Sequence, residues 1–524
     1  MPTSAAWTTD AACHASVPQP KEVGAITTDS EALVVGAGPT GLTMAVELLR
    51  RGVDVRVIDR ADRRSPHAKA IILQPRALEA FARLGLEDEI RARSLPVRAA
   101  NYYTHGRRVA RINFRRLHGS RFDTPLSLPQ DETERILHSA LSEAGGRVDY
   151  GQRITALEHH PDRVVAHCGT VTHRTTWLLG CDGAHSTVRE ALEIPFEGAT
   201  YRQEFALLDG VWETPLAHDE AHYFMDPRGV LVVVGLPGGR TRVFASVPAG
   251  GTAADVEESV RGFAAERCPH PLELRERTGA GVFQVHRRIA GRFLAGRVLL
   301  AGDAAHVHSP AGGQGLNTGI QDAHEAAWRI AGVLRGALPE ESLAQWERER
   351  RHVARTVVAD TDRQTRLWTC GGWRERLRDL TARMAETTGA IDRFLPARLA
   401  QLDLRYPAQG ATRGALAAGR RLPDVGLPTG ARTHDLLRDG NHLLLAPADR
   451  SPLARRPDLT YAPLDGGSTR ALGARRPRAV LVRPDGVIAG TARLSDRRAL
   501  RRLERLLPVE QRKPGTTEQK PEAA

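Results

Sequence analysis

A glycine-rich turn between an apolar run and a helical pattern constrains this chain more than any other feature. The turn reads Gly36-Ala37-Gly38-Pro39-Thr40-Gly41 and follows the apolar residues 32–35. In this arrangement the first glycine permits a tight bend, the second lets the backbone approach a pyrophosphate, and the third lets the helix pack closely on the strand. The helix N-terminus then presents free N–H groups to the phosphates. The pattern predicts a parallel α/β unit that binds a dinucleotide.

An acidic residue stands where such a unit places its ribose ligand. Asp59 follows the second predicted strand, residues 53–58, and comes about 20 residues after the turn. Its carboxylate is positioned to accept hydrogen bonds from ribose hydroxyls. The turn and the acid together do not distinguish FAD from NAD.

The composition argues against several other classes of protein. The chain has 524 residues, enough for roughly two to four domains, and its 41% hydrophobic and 26% charged residues are typical of a globular protein. The net charge is +12, but nearly all the cations are arginines interspersed with acids. We therefore interpret the charge as a compositional bias and not as a nucleic-acid surface.

Cysteine spacing and hydropathy bear on the compartment. The five cysteines are scattered and form neither a CxxC pair nor a metal-ligand pattern, which excludes a disulfide framework and a cysteine-rich zinc site. No run approaches the roughly 18 apolar residues of a membrane span, and residues 1–30 lack the apolar core of a signal peptide. We expect a cytoplasmic protein without a metal, preceded by a flexible leader.

Two later segments repeat the transition from a buried strand to a small-residue turn. Residues 177–189 contain a strand followed by an Asp-Gly turn, and residues 297–306 contain a strand followed by a Gly-Asp turn. Residues 309–317 then read Ser-Pro-Ala-Gly-Gly-Gln-Gly-Leu-Asn. Their glycines free several backbone N–H groups to converge on one acceptor, which would stabilise the negative charge of a reduced flavin.

These three motifs, in this order, resemble those of the class A FAD-dependent aromatic monooxygenases, the para-hydroxybenzoate and phenol hydroxylase group, over about residues 31–366. The resemblance implies an α/β fold, with a Rossmann-like FAD-binding domain of the glutathione-reductase type and an inserted antiparallel β domain for the substrate. Residues 419–425 and 482–487 resemble the C-terminal thioredoxin-like domain of phenol hydroxylase and of bacterial polyketide and rifampicin hydroxylases. No cysteine follows Cys370, so this domain would lack redox cysteines.

The domain limits follow changes in sequence texture. Alternating β-rich runs begin near Tyr201, and the chain becomes rich in Pro, Gly and Arg from about Gly410. We expect a leader (1–30), a first FAD-binding segment (31–200, with an excursion into the substrate domain at about 97–125), a substrate domain (201–289), a second FAD-binding segment with long helices (290–408), a thioredoxin-like domain (409–510) and a flexible tail (511–524).

The resemblance also assigns residues to FAD. Asp182 would lie near the pyrophosphate and Asp303 would accept hydrogen bonds from ribityl hydroxyls, although both could instead be turn and helix-capping acids. The family's usual arginine falls at Lys69, which keeps the charge but loses the bidentate fork. Pro310 and the Gly312–Gly315 backbone would line the isoalloxazine ring, and no catalytic base is named. The predicted cofactor contacts are Gly36, Gly38, Pro39, Thr40, Gly41, Asp59, Arg60, Lys69, Gln130, Asp182, Gly183, Gly302, Asp303, Pro310, Gly313, Gln314, Gly315, Leu316 and Asn317.

The β-rich stretch supplies candidates for the substrate pocket. Alternate residues of a half-buried strand face one side, so candidates can be named but not distinguished from ordinary core residues. We interpret His306 and His308 as packed or capping side chains rather than general bases, and Trp328 and Trp346 as core. The expected pocket residues are His222, Tyr223, Met225 and Phe283.

The resemblance implies a single-component monooxygenase that hydroxylates a phenolic or polycyclic, polyketide-like aromatic of antibiotic biosynthesis. NADPH or NADH would reduce FAD transiently, and O2 would react through a flavin C4a-hydroperoxide. The partners would be the aromatic small molecule, O2 and NAD(P)H, with no nucleic acid and no membrane span, and the enzyme would be a monomer or a homodimer.

Other flavoproteins compete with this interpretation. A Baeyer–Villiger or epoxidising enzyme with the same cofactor site stays open, as does a flavin-binding protein without turnover. A halogenase is disfavoured because the WxWxIP segment of those relatives is absent, and a flavin disulfide reductase is excluded because no paired cysteines occur.

Overall fold

The structure is a computed structural model that describes residues 26–64, 70–248, 253–407, 414–447, 451–474 and 476–509. Its strands, in chain order, are β1 (Ile26–Val35), β2 (Val55–Ile58), β3 (Ile72–Leu73), β4 (Leu95–Pro96), β5 (Ala99–Thr104), β6 (Arg107–Asn113), β7 (Leu126–Ser127), β8 (Val148–Asp149), β9 (Ala156–His159), β10 (Val164–Cys168), β11 (Val171–Gly180), β12 (Phe196–Glu213), β13 (Glu220–Asp226), β14 (Gly229–Gly235), β15 (Thr241–Pro248), β16 (Glu273–Ala290), β17 (Leu294–Ala295), β18 (Val298–Leu300), β19 (His306–Val307), β20 (His442–Ala446), β21 (Leu459–Pro463), β22 (Ala479–Val482) and β23 (Ile488–Ala492). Its helices are α1 (Pro39–Arg50), α2 (Pro75–Arg83), α3 (Glu87–Arg93), α4 (Gln130–Glu143), α5 (Thr187–Ala191), α6 (Ala253–Arg267), α7 (Gly315–Leu334), α8 (Glu341–Trp368), α9 (Trp373–Thr387), α10 (Ala390–Leu399), α11 (Gly466–Ala471) and α12 (Arg497–Glu504).

A mainly parallel sheet forms the first layer. Its parallel strands lie in the order β18-β11-β1-β2-β8, so the three strands that the sequence motifs follow are direct neighbours. Residues 32–35 are buried, which is why this run is apolar on both faces. The prediction of an α/β fold is confirmed.

The first strand is longer than the sequence suggested. It begins at Ile26, inside the segment that we predicted as a leader, and residues 26–30 pair in parallel with Val171–Thr175 of β11. Apolar periodicity could not reveal this extension, because its residues are polar and partly exposed. Backbone pairing and a 2.7 Å hydrogen bond between Thr28 Oγ1 and His173 Nδ1 hold it.

A second, eight-stranded sheet runs in the order β19-β16-β12-β15-β14-β13-β5-β6. Its neighbours are antiparallel except for β13 and β5, which pair in parallel. One face packs on α6, and the opposite face packs against Ala311, Trp368, Ile391 and Leu399. This second face is therefore turned toward the glycine-rich residues 311–315.

A four-stranded sheet in the order β21-β20-β22-β23 forms the C-terminal unit, with β20 and β21 parallel and the other pairs antiparallel. Buried ion pairs join it to α7 and α8. Arg483 donates to Glu349 Oε1 (2.7 Å) and to Asp485 Oδ2 (2.8 Å), and Arg329 donates to Glu349 Oε2 (2.8 Å). Trp328 donates its indole N–H to Asp485 Oδ2 (3.1 Å), so this side chain belongs to the core.

The length and hydropathy of the helices bear on membrane insertion. Within the described ranges, no helix is both long enough and apolar enough to cross a bilayer.

Candidate functional site

The Gly36–Gly41 turn has two glycines that the protein itself requires and one that faces open space. Gly36 has φ +103°, and a Cβ there would lie 2.5 Å from the carbonyl oxygen of Cys181. A Cβ on Gly41 would collide with the carbonyl of Gly36. Gly38, in contrast, has φ −78°, and no heavy atom of the described residues lies within 4 Å of the Cβ position. The cradle is therefore open only where a pyrophosphate has to approach, which fits a dinucleotide such as FAD.

Helix α1 begins directly at this opening. No side chain of the described residues caps its N-terminus, and Pro39 occupies its first turn, where a missing N–H costs nothing. The remaining N–H groups of the first turn are thus available to an anion.

Asp59 connects the turn to the end of β2. Its Oδ2 accepts a hydrogen bond from the Ala37 N–H (2.7 Å) and its Oδ1 accepts one from the Ala61 N–H (2.8 Å). Each carboxylate oxygen has a second lone pair for a ribose hydroxyl. The neighbouring Arg60 is exposed, and its guanidinium donates to the carbonyl of His185 (3.3 Å).

Asp182 lies beside the same turn, but its carboxylate is used inside the protein. A Cβ on Gly36 would lie 2.8 Å from the Asp182 Cα. The carboxylate accepts hydrogen bonds from the Ser186 hydroxyl (2.6 Å) and the Val188 N–H (3.2 Å) and so fixes the start of α5. Burial raises the pKa of this carboxyl despite those bonds. The capping interpretation therefore describes the side chain, with Gly183 at φ +82° completing the turn.

The Gly-Asp turn packs on the N-terminus of α1. A Cβ on Gly302, where φ is +61°, would lie 2.6 Å from Thr40 Oγ1. Gly319 of α7 also abuts the Thr40 side chain. The Asp303 side chain is exposed at this junction. The structure thus brings together two motifs separated by more than 250 residues.

A buried network that sequence reasoning missed holds the Gly-Asp turn. Asp322 accepts hydrogen bonds from His306 Nε2 (2.7 Å), the Gly302 N–H (3.0 Å) and Arg350 Nε (2.6 Å), and it is fully buried. Although burial raises its pKa, Arg350 and His306 outweigh that effect and lower it. Trp346 donates its indole N–H to the Asp322 carbonyl (3.2 Å) and is fully buried, as expected of a core residue. The signal in the sequence that could have revealed this network is the presence of polar residues on the buried faces of two long helices.

The loop after Pro310 is shaped by two glycines in the left-handed region, Gly312 (φ +72°) and Gly313 (φ +60°). Asn317 donates to the carbonyls of Gly313 (2.7 Å) and Ile72 (2.8 Å), so its side chain locks the loop against β3. Helix α7 starts at the next glycine, with no side chain capping its N-terminus.

Two predicted contacts in this loop use their side chains on protein. Gln314 donates to the carbonyl of Leu399 (3.1 Å), and Asn317 accepts from the Gln74 N–H (2.7 Å). Both side chains are buried, so they shape the loop, and Gly315 and half-buried Leu316 present the backbone beside them. Direct side-chain contact of Gln314 or Asn317 with a flavin is not what the structure favours, because each amide already has internal partners.

Gln130 starts α4 and supports the segment after the predicted basic residue. Its Oε1 accepts from the Ala70 N–H (3.3 Å), and its Nε2 donates to Glu134 (2.9 Å). Lys69 itself lies outside the described residues.

Three of the four predicted pocket residues share one face of the second sheet. Tyr223 stacks on Tyr102 with ring centroids 4.9 Å apart and lies 5.1 Å from Trp368, while Phe283 stacks on Phe205 at 5.8 Å. Met225 belongs to the same cluster as Ala311. This aromatic face, formed by Tyr102, Phe205, Tyr223, Phe244, Phe283 and Trp368, lies toward the loop that follows Pro310.

The structure corrects the prediction for His222, the fourth expected pocket residue. It is adjacent to Tyr223 on a strand, so its side chain points to the opposite face. There it contacts Tyr103 (Nδ1 to hydroxyl, 3.2 Å) and the Ala217 carbonyl (Nε2 to oxygen, 3.0 Å). It cannot line a pocket on the aromatic face.

Comparison with known families decides what this arrangement is. Residues 29–361 match the family described as "FAD binding domain", and residues 416–508 match "Aromatic-ring hydroxylase, C-terminal". The chain belongs to the FAD-dependent aromatic-ring monooxygenases. The open cradle at Gly38 is therefore part of a flavoenzyme that binds FAD.

Three relatives of this monooxygenase are named for the compound that each one oxygenates. It is 38% identical to 6-methylpretetramide 4-monooxygenase of Streptomyces rimosus over 64% of this chain and 62% of that protein. It is 30% identical to rifampicin monooxygenase of Rhodococcus hoagii over 88% of this chain and 95% of that protein. The structure of the anhydrotetracycline hydroxylase OxyS from Streptomyces rimosus matches 92% of this chain and 99% of that one, with a TM-score of 0.76 and 30% identity.

Proposed function

We propose that this monooxygenase hydroxylates a phenolic or polycyclic, polyketide-like aromatic substrate with O2 and NAD(P)H. The observation that carries the proposal is the aromatic face of the second sheet, which lies against the loop after Pro310. Flat, offset aromatic side chains offer stacking surfaces to a planar ring system. The similarity to a rifampicin and a pretetramide monooxygenase supports a substrate of several rings.

The proposed reaction consumes one aromatic C–H, O2, NAD(P)H and a proton, and it yields the phenol, water and NAD(P)+. Bound FAD would supply the redox chemistry, accepting the electrons of the nicotinamide and passing them to O2. The protein positions the substrate and excludes water.

The residues around the cradle have separate proposed tasks. The backbone at Gly38 and the first turn of α1 would bind the pyrophosphate, and Asp59 would accept from the adenosine ribose. Asp303, exposed where the Gly-Asp turn meets α1, would accept from the ribityl hydroxyls. The left-handed glycines after Pro310 would bring backbone N–H groups to the pyrimidine edge of the flavin, where negative charge collects on reduction.

We also propose that residues 26–200 and 290–408 form the FAD domain, with an excursion into the substrate domain at about 97–125, that 201–289 form the substrate domain and that 409–510 form a thioredoxin-like unit. The strand order of the C-terminal sheet, in which the second strand precedes the first and the first two are parallel, supports a thioredoxin-like fold. With no cysteine after Cys370, its task would be packing, through the ion pairs of Arg483. Cys168, Cys181, Cys268 and Cys370 are free thiols, which supports a cytoplasmic enzyme. Its oligomeric state would be a monomer or a homodimer.

The test is a panel of polycyclic phenols incubated with the purified, FAD-loaded enzyme, NAD(P)H and O2. We expect a substrate to stimulate NAD(P)H oxidation and to gain one oxygen atom as a ring hydroxyl, identified by mass spectrometry and NMR of the product. An inserted ester or epoxide oxygen would favour the Baeyer–Villiger or epoxidising alternative. A protein that binds FAD but oxidises no nicotinamide with any substrate would contradict the proposal.

A further inference from the structure

A cleft rich in arginine lies between the long strands β12 and β16 and helix α8. It encloses about 580 Å³, within the roughly 300–1,000 Å³ typical of small-molecule sites. Six guanidinium groups and two carboxylates line it, a formal excess of four positive charges. We call it the arginine cleft; its charged residues are Glu197, Arg287, Arg288, Arg351, Arg355, Asp362, Arg363 and Arg366.

The carboxylates of the cleft do not neutralise all its cations. Asp362 receives ion pairs from Arg287 and Arg366, each at 2.9 Å, and a hydrogen bond from the Tyr201 hydroxyl (2.8 Å). These three contacts use most of the hydrogen-bond-accepting capacity of the Asp362 carboxylate. In the part of the chain that the structure describes, no carboxylate lies within 4.0 Å of Arg288, Arg351 or Arg355 in an ion pair.

A buried donor atom of Arg351 is a second, independent observation that points to an absent ligand. Its Nε is buried and has no hydrogen-bond partner among the described residues. A buried N–H without a partner loses its hydration without compensation, and native proteins rarely retain one. An anionic ligand in the cleft would satisfy this donor together with the guanidinium groups nearby that lack a carboxylate.

The cleft is close to the loop that is proposed to line the flavin. Arg288 of β16 pairs with Val307 of β19, and Val307 precedes Pro310 by three residues. Three residues of extended chain span about 10 Å. A ligand with its phosphates among the arginines could therefore extend an attached ring to the flavin.

We propose that the arginine cleft binds the phosphate groups of NADPH. The inference rests on the proposed function, which requires a nicotinamide reductant. A diphosphate carries about two negative charges and a 2′-phosphate about 1.5–2 more, and Arg288, Arg351 and Arg355 are the guanidinium groups of the cleft that pair with no carboxylate among the described residues. Guanidinium groups bind such phosphates with two parallel N–H bonds. NADH lacks the 2′-phosphate, so the cleft makes the enzyme prefer NADPH.

The test compares Arg351→Gln, Arg355→Gln and the double variant with Arg348→Gln, an exposed arginine of the same helix outside the cleft. The first readout is the binding of NADP+ and of NAD+ to the FAD-loaded enzyme by titration calorimetry, which needs no turnover. The second is the KM for NADPH and for NADH at a saturating concentration of the aromatic substrate.

We expect the dissociation constant for NADP+ to rise about tenfold in each single cleft variant and further in the double variant. The preference for NADPH over NADH should fall in parallel, while the FAD content of the cleft variants stays at the wild-type level. The control variant Arg348→Gln should bind NADP+ as the wild type does. The proposal is overturned by NADP+ binding within twofold of wild type in the double variant, by an equal effect of Arg348→Gln, or by a changed KM for the aromatic substrate alone. A wild-type enzyme that binds NADP+ through the cleft yet never oxidises NADPH would refute the proposed function and leave this site standing.

Discussion

Replacing Gly38 with alanine should separate cofactor binding from folding. The backbone there, φ −78° and ψ 179°, is allowed for any residue, and within the described part of the chain no heavy atom lies within 4 Å of the added methyl. Alanine also restricts the unfolded chain, so the free energy of unfolding of the apoprotein should stay level or rise by about 0.4–1 kcal/mol.

The cost of Gly38→Ala should appear only when FAD binds. The methyl occupies the opening through which the backbone approaches the pyrophosphate and would prevent at least one N–H group of the turn from reaching it. A hydrogen bond to a charged group contributes about 1.5–3 kcal/mol, so its loss should raise the dissociation constant for FAD by roughly 10- to 150-fold.

Gly36→Ala is the matched comparison, because the same methyl group meets a closed wall. Its Cβ would lie 2.5 Å from the Cys181 carbonyl oxygen at φ +103°, and such backbone strain alone costs about 1–3 kcal/mol. This variant should lose both the stability of the apoprotein and the binding of FAD.

The assay measures three quantities on each protein: the flavin-to-protein absorbance ratio after purification, the dissociation constant for FAD by fluorescence titration of apoprotein, and the urea unfolding curve of the apoprotein. The reasoning fails if Gly38→Ala binds FAD within twofold of wild type. It also fails if Gly38→Ala destabilises the apoprotein as much as Gly36→Ala does.

Three further outcomes follow from the same structure. Arg483→Leu leaves two buried carboxylates short of a partner and should lower the free energy of unfolding, measured in urea, by about 3–5 kcal/mol. The exposed control Arg501→Leu should change it by less than about 0.5 kcal/mol. A loss below about 1 kcal/mol for Arg483→Leu would mean that the ion pairs do not join the C-terminal unit to α7 and α8. Phe283→Ala should raise the KM for the aromatic substrate about tenfold with FAD retained, and His222→Ala, on the opposite face, should leave that KM unchanged; the reverse pattern would place the pocket elsewhere. Burial lowers the pKa of three histidines well below the unfolded value near 6.5, so the unfolded state binds their protons first and stability, complete above pH 6.5, should fall as pH decreases toward 4. Urea unfolding at pH 7, 5.5 and 4.5 checks this, and an unchanged midpoint from pH 7 to 5 would contradict it; the pKa is about 4 in His308, about 3 in His434 and about 4 in His442.

Local pattern was enough to predict several elements of secondary structure. The second strand, predicted at residues 53–58, is β2, and the long helices predicted within residues 290–408 include α7 and α8. Such elements depend on apolar runs and helical periods within a few turns of chain. The polar start of β1 escaped because only its pairing with β11, some 145 residues away, makes it a strand.

The sequence by itself determined the dinucleotide turn and the order of the three motifs, because each motif carries its own backbone requirement in glycines and a neighbouring acid. The choice of FAD came from the resemblance of those motifs to a known family. Only the tertiary structure decided what the side chains do. It turned His222 away from the pocket, used Gln314 and Asn317 to lock a loop, and buried Asp322 between His306 and Arg350. It also gathered arginines from β16 and α8 into one cleft. These outcomes depend on contacts between residues far apart in the chain, and no local period or spacing contains them.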